Sequence, residues 1–431
     1  MFVIGDIMKD ITRRKFLIGG AFLAAGAVSG CFRKNPIYRE AKETLNILGD
    51  GKIRFVRQHI GKSADTRKIL FEGAEELKDA KVELKAENGE VTVSDAKYTP
   101  FTDDSAQRHL YEAEINGLKA GKSYEYRIVT ASGESEWIKF HAPSKDKLTT
   151  LIFPDSQSAD YSSWENVAQA AYANNSDADF FVNMGDLVDN GEDHTQWEAW
   201  FRALTGVEEH IPSAPILGNH ECYDNKWEVR LPNAYLNYFP QPDNRSKEFP
   251  RYYYCYDLGE CRFISLTTEW DEVNGFKKGL LDEEIEWFQN EAVKTDKKWK
   301  IVFMHRDVLQ YRIKSRPERK EGISEAGEVF MPLFEKHNID IVFTAHLHTY
   351  RNRGKIKNGK HGENAPYYIL TGVAGDVRYP NLWINHALDN VVAPQPETDN
   401  YLVMRITGDT ANIKCYRDDG ALIDEAEIKR S

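Results

Sequence analysis

The sequence predicts an all-β sandwich followed by a layered α/β domain, and a change of pattern near Pro143 carries that prediction. From about residue 45 to 143, short β-prone runs such as Ile53-Arg54-Phe55-Val56, Lys81-Val82-Glu83-Leu84 and Tyr124-Glu125-Tyr126-Arg127-Ile128 are separated by turn signals at Asn88-Gly89 and Ser132-Gly133. Beyond it, apolar strand-like runs at 149–153, 180–184, 214–217, 263–267, 300–304 and 339–344 alternate with helical candidates at 163–174, 195–204, 280–293 and 325–337. In the third helix Leu280, Leu281, Ile285, Trp287 and Phe288 make one apolar face among acids. The segment 376–400 lacks periodicity and reads as a lid over whatever site the second domain carries. There is no internal repeat and no low-complexity tract.

A length of 431 residues allows two or three domains, and 41% hydrophobic with 29% charged residues is ordinary for a chain that buries a sizeable core. The net charge of −12 argues against wrapping nucleic-acid backbone, so no nucleic-acid partner is expected. A small phosphorylated partner remains compatible, because the field at a site can oppose the global sign.

The amino terminus reads as an address. Thr12-Arg13-Arg14-Lys15 runs into an apolar segment, Phe16 to Gly30, whose 15 residues are too few for a membrane-spanning helix of about 20 and suit a signal-peptide core. The paired arginines followed by Phe16-Leu17 resemble a twin-arginine export signal. Val28-Ser29-Gly30-Cys31 resembles a bacterial lipobox, which implies residues 1–30 as signal peptide, lipid on Cys31, a tether over 31–44 and an envelope location on the extracytoplasmic face. Met8 is a second candidate start. Export permits disulfides, and Cys255 and Cys261 flank a turn; a three-residue loop at 257–259 would place them opposite each other, with two buried free thiols as the alternative.

In the second domain, five separate apolar runs each end on a metal-ligand type of residue: Asp155 after 149–154, Asp186 after 180–185, Asn219 and His220 after 214–218, His305 after 301–304, and His346 and His348 after 341–345. In layered α/β folds such ends gather at one carboxyl edge. Each piece alone is weak; a Gly-Asp after a strand is commonly a turn. The order D-x-Q, GDLVD, GNHE, H, AHLH resembles the calcineurin-like metallophosphoesterase family, over residues 148 to about 430. Trp287, the run Lys298 to His305, and His346-Leu347-His348-Thr349-Tyr350 resemble its purple acid phosphatase branch. The run Leu110 to Tyr126 resembles a fibronectin type III domain, which that branch carries at this place.

That resemblance implies a four-layer αββα fold over 148–431 and hydrolysis of phosphate esters, mono- or diesters, at two cations bridged by Asp186. Asp155 and His348 complete one cation site, and Asn219, His305 and His346 the other. All donors are oxygen or nitrogen, which suits Mn, Fe or Zn. Such a pair of cations draws a nucleophile from water and offsets charge growing on the phosphoryl oxygens. His220 and Asp189 are implied as the pair that protonates the leaving group, although Asp189-Asn190-Gly191 also reads as a turn. Gln157 stands where the family has a histidine, so it is a weak metal or water ligand. Asp189 stands where the purple branch has a tyrosine, so the iron–tyrosinate colour is expected to be absent.

Six basic residues crowd 306–320, and Arg306, with Tyr350, is the candidate for substrate contact; a solvated basic loop is the bland reading. The rival function is a non-catalytic envelope module with a decayed phosphatase domain, for which Gln157 is the one argument. Mass spectrometry of the membrane-extracted mature protein is expected to find a modified Cys31 at its amino terminus. An unprocessed chain starting at Met1 or Met8 would contradict the reading.

Overall fold

The computed structural model describes residues 53–430. Arg13-Arg14, Cys31 and the tether lie outside the described residues. No helix among these is long and apolar enough to cross a membrane.

Residues 53–141 form two antiparallel sheets. One runs Ile53–Ile60, Thr66–Gly73, Ala106–Asn116, Lys97–Asp103; the other centres on Val91–Asp95, Lys81–Ala86 and Ser123–Thr130, with Ile138–His141 beside the last. Period-two alternation decides which face is buried: Tyr124, Tyr126, Ile128 and Thr130 point inward from one strand while the residues between them do not. Tyr124, Tyr126 and Ile128 meet Phe71, Tyr111 and Ile115 of the opposite sheet in one shared core.

The edge strand Ile53–Ile60 is covered rather than left open. Gln58 N–H donates to the Glu208 carbonyl at 2.7 Å, Ile60 N–H to the Ser213 carbonyl at 3.1 Å, and the Tyr126 hydroxyl to the Glu209 carbonyl at 2.9 Å. The segment 206–213 of the second unit therefore seals the first.

The second unit holds two mixed sheets. In the first, Lys147–Phe153 runs parallel to Phe180–Asn183 and antiparallel to Asn400–Thr407, followed by Thr410–Arg417 and Leu422–Lys429. In the second, Cys261–Leu266, Trp299–Met304, Ile341–Thr344 and Tyr367–Thr371 are parallel neighbours, with Tyr254–Leu258 and Tyr350–Lys357 antiparallel beyond them. Ile152, Phe180, Val182 and Met404 from one sheet pack on Phe263, Ile301, Phe303 and Phe343 from the other. Opposite faces of the same strands, such as Leu151, Phe153, Val302 and Met304, pack with Trp164, Trp200, Phe288 and Phe330 from helices Ser162–Asn174, His194–Ala203 and Glu325–Lys336 and the π-turn Phe288–Ala292. Strands buried on both faces read as continuous apolar runs, as 149–153 and 300–304 do.

One expectation is corrected, and one alternative left open by the sequence is decided. Segment 214–217 is not a ladder strand: Ala214 and Ile216 donate to the Phe181 and Asn183 carbonyls at 2.8 and 2.9 Å, but on its other side Pro215 has no N–H for a strand and its carbonyl takes side-chain donors from Tyr235, Gln241 and Tyr254. Cys255 and Cys261 are free and do not face each other. Leu258 pairs with Cys261 and Cys255 with Ile264, so the loop is Gly259-Glu260, with Gly259 at φ +55°. That register puts Cys261 in the core between the sheets and Cys255 on the other face.

Candidate metal centre

The parallel strands of both sheets end side by side, and each end delivers a ligand-type residue. Asp155 follows Lys147–Phe153, Asp186 follows Phe180–Asn183, His305 follows Trp299–Met304, and His346 and His348 follow Ile341–Thr344; Asn219 and His220 open the short turn that follows 214–218. Two groups emerge with ligand atoms within 4.8 Å of one another, Asp186–His305–His346 and Asp155–Asp186–His348, and Asp186 belongs to both.

Within the first group, His305 Nε2 lies 3.1 Å from Asp186 Oδ2, 3.3 Å from Asn219 Oδ1 and 3.2 Å from His346 Nδ1. Within the second, His348 Nε2 lies 3.2 Å from Asp155 Oδ2. Donors about 2.1 Å from one cation stand roughly 3.0–3.4 Å apart, so these edges fit a coordination shell. Asp155 Oδ2, Asp186 Oδ2, His348 Nε2 and Gln157 Oε1 are buried without a hydrogen-bond partner. Leaving such atoms unpaired costs about 1–3 kcal/mol each, and a cation is what oxygen and nitrogen lone pairs of this kind accept. The residues fit two metal ions.

Four hydrogen bonds from the remaining atoms aim these side chains. Asp155 Oδ1 accepts the His346 N–H at 3.0 Å, and Asp186 Oδ1 accepts the His220 N–H at 2.8 Å. His305 Nδ1 donates to the Met184 carbonyl and His348 Nδ1 to the Val377 carbonyl, both at 2.8 Å, leaving Nε2 of each as the free donor. Burial would raise the Asp186 carboxyl, but His305 and His220 outweigh it and hold it well below the usual range. Burial, with His305 and Arg306 beside it, keeps the His346 imidazole neutral, the form that ligates.

His220 stays outside this shell, with Nε2 3.9 Å from Asp186 Oδ2. Its Nδ1 donates to the main-chain carbonyl of Asp189 at 2.7 Å, while the Asp189 carboxylate stands off at 3.5 Å. The pair exists, but the backbone is its tight contact and the carboxylate acts through charge. Burial lowers the imidazole and Asp186 and Asp189 raise it more, for a net upward shift.

Both substrate candidates are corrected. Tyr350 is 1% exposed in the core between the sheets, its hydroxyl donating to Asp424 at 2.7 Å. The Arg306 guanidinium is held by Glu269 at 2.9 Å and Glu272 at 2.6 Å, so its charge is already matched. The lid reading and the basic loop meet in one structure: Arg312–Ile313 pairs with Trp383–Ile384, and the Trp383 indole donates to the Leu347 carbonyl, between the two histidines, at 2.8 Å.

Glu221 is the residue that sequence reading passed over. Oε2 accepts the N–H of Gly218 and Asp186 at 2.8 and 3.0 Å, and Oε1 those of Leu187 and Val188 at 2.8 and 3.4 Å. One buried carboxylate thus holds the GDLVD turn to the GNHE turn. Its only sequence signal is an acid set next to two glycine-containing turns.

A family model, calcineurin-like phosphoesterase, matches residues 148–350. The chain carries a calcineurin-like phosphoesterase domain. Relatives include "Probable purple acid phosphatase 20" of Arabidopsis thaliana, 23% identical over 62% of this chain and 61% of that protein. Another is "Acid phosphatase type 7" of Mus musculus, 23% identical over 64% of this chain and 68% of that one. The chain thus spans less than two thirds of the first relative's length. Among solved structures, purple acid phosphatase PPD1 from yellow lupin (Lupinus luteus) seeds matches with TM-score 0.74 and 17% identity, over 88% of this chain and 74% of that one. PhoD matches with TM-score 0.61 and 12% identity, over 87% and 92%. These two likenesses establish a shared fold for the phosphoesterase domain.

Replacing Glu221 with Gln sets an amide NH2 among four N–H donors. Glu221→Gln is expected to lower stability by about 2–4 kcal/mol and to weaken metal retention. Unchanged denaturation and metal content would refute the role assigned to this carboxylate.

Proposed function

We propose that the chain is a binuclear metal-dependent phosphoesterase that hydrolyses small phosphate esters, exported and anchored by lipid on Cys31. The observation that carries the chemistry is the pair of ligand groups sharing Asp186, with its Oδ2 buried and unpaired. Asp155, Asp186 and His348 would hold one cation, with Gln157 Oε1, buried and unpaired, as a candidate further oxygen donor; Asp186, Asn219, His305 and His346 would hold the other. When bound, the cations supply Lewis-acid activation of water and neutralise the phosphoryl oxygens in an in-line displacement. The reading includes an N-terminal fibronectin type III-like sandwich and a four-layer αββα arrangement. A full set of donors weighs against a decayed, purely binding module.

His220 is the proton donor in this account. With Nδ1 committed to the Asp189 carbonyl, the proton it can give sits on Nε2. Two negative neighbours, Asp186 and Asp189, favour the imidazolium that carries it. Asp189 supports this by charge rather than by a tight carboxylate hydrogen bond.

The test is a panel of mono- and diesters of graded leaving groups, assayed with Mn, Fe or Zn supplied. Wild type is expected to turn over at least one ester class in a metal-dependent way. His220→Ala is expected to keep both metals and to lose about 10²–10⁴-fold in rate with poor leaving groups, much less with a nitrophenolate. Asn219→Ala is expected to release one cation. Loss of a metal from His220→Ala, or a defect independent of leaving group, would overturn the proton-donor role; no turnover of any ester would overturn the function.

A further inference from the structure

An incoming phosphate needs donors for the oxygens that the cations do not take. The arginines that flank the ligand motifs are all committed. Arg306 is paired with Glu269 and Glu272, Arg351 with Glu397 and Asp389, Arg353 with Asp307, and Arg378 with Asp399. His220 is assigned to the leaving group. A further polar side chain, from the segment 376–400, packs against the cluster.

Tyr379 packs its ring on that of the ligand His348, centroids 4.9 Å apart and planes at 46°. Its neighbour Val377 accepts the His348 Nδ1–H at 2.8 Å, so the same short stretch both orients the ligand and lays a phenol beside it. The stretch is held at both ends. Ala159 N–H donates to Asp376 at 3.1 Å, and the Trp383 indole donates to the Leu347 carbonyl at 2.8 Å. A phenol is an O–H donor with no charge of its own.

The geometry points to Tyr379 as a substrate-positioning residue, its hydroxyl donating to a phosphoryl oxygen on the His348 side of the cluster. This rests on the phosphoesterase reading above. It also gives the cap segment a direct part in substrate binding.

Tyr379→Phe keeps the ring on His348 and removes only the hydroxyl. In Mn(II)-loaded protein, calorimetric titration with inorganic phosphate is expected to show about ten- to hundredfold weaker binding for Tyr379→Phe, the loss typical of a hydrogen bond to a charged group. Metal analysis is expected to find the same Mn content in both proteins. Equal phosphate affinity would overturn the assignment while leaving the phosphoesterase reading intact. Loss of Mn from the variant, or a visible tyrosinate band in iron-loaded wild type that the variant lacks, would overturn it in favour of a ligand role. Wild-type protein that holds Mn but binds no phosphate would overturn the phosphoesterase reading and this assignment together.

Discussion

Three buried polar atoms with no hydrogen-bond partner converge where the two sheets end, and tolerating them is the constraint that shapes this molecule. They are Asp155 Oδ2, Asp186 Oδ2 and His348 Nε2. At about 1–3 kcal/mol each, they weigh heavily against the 5–15 kcal/mol by which a folded domain is typically stable. Cations held by these atoms would return that free energy, and metal binding would then be coupled to folding. The surrounding core, with Phe303, Phe343, Val182 and Ile152 fully buried between the sheets, keeps the strand ends from relaxing away from one another.

The convergence also strains the backbone. Asp186, His346 and His348 all have positive φ, at +50°, +73° and +50°. Side chains with a Cβ rarely adopt such angles, and they persist only where neighbours over-determine them. Here the determinants are visible. Glu221 ties down the amide of Asp186, Asp155 that of His346, and the Val377 carbonyl the ring of His348. Gly218 lets the GNHE turn approach closely, since a Cβ there would stand 2.2 Å from the Asp186 nitrogen. The two halves of the cap, 306–324 and 376–399, are joined by Tyr311–Asp389, and Asp307–Arg353 ties the cap to the strand Tyr350–Lys357 that follows the last histidine pair.

Much of this was legible in the sequence because its signals are local. Helices expected at 163–174, 195–204 and 325–337 are found at Ser162–Asn174, His194–Ala203 and Glu325–Lys336, and the apolar runs that end in ligand-type residues bring those residues to one cluster. What sequence misread depended on partners far along the chain. Arg306 looked free because Glu269 and Glu272 lie more than thirty residues earlier. Tyr350 looked functional because it adjoins the last histidine motif, yet strand alternation turns it into the core toward Asp424. The cysteine pairing, open in the sequence, is decided by a hairpin register set by the two-residue loop Gly259-Glu260. Glu221 and Tyr379 gave no pattern, since one acts on backbone amides and the other comes from a segment without periodicity.

The central claim is that Asp186 belongs to two cations at once. Metal content per chain, measured after dialysis on Asp186→Asn and Asp155→Asn alongside wild type, tests it most directly. Asparagine tolerates the positive φ at position 186, so the substitution removes charge with little backbone cost. The account predicts about two cations in wild type, about one in Asp155→Asn and close to none in Asp186→Asn, as a shared bridging carboxylate requires. An Asp186→Asn protein that keeps one cation as firmly as Asp155→Asn does would contradict it.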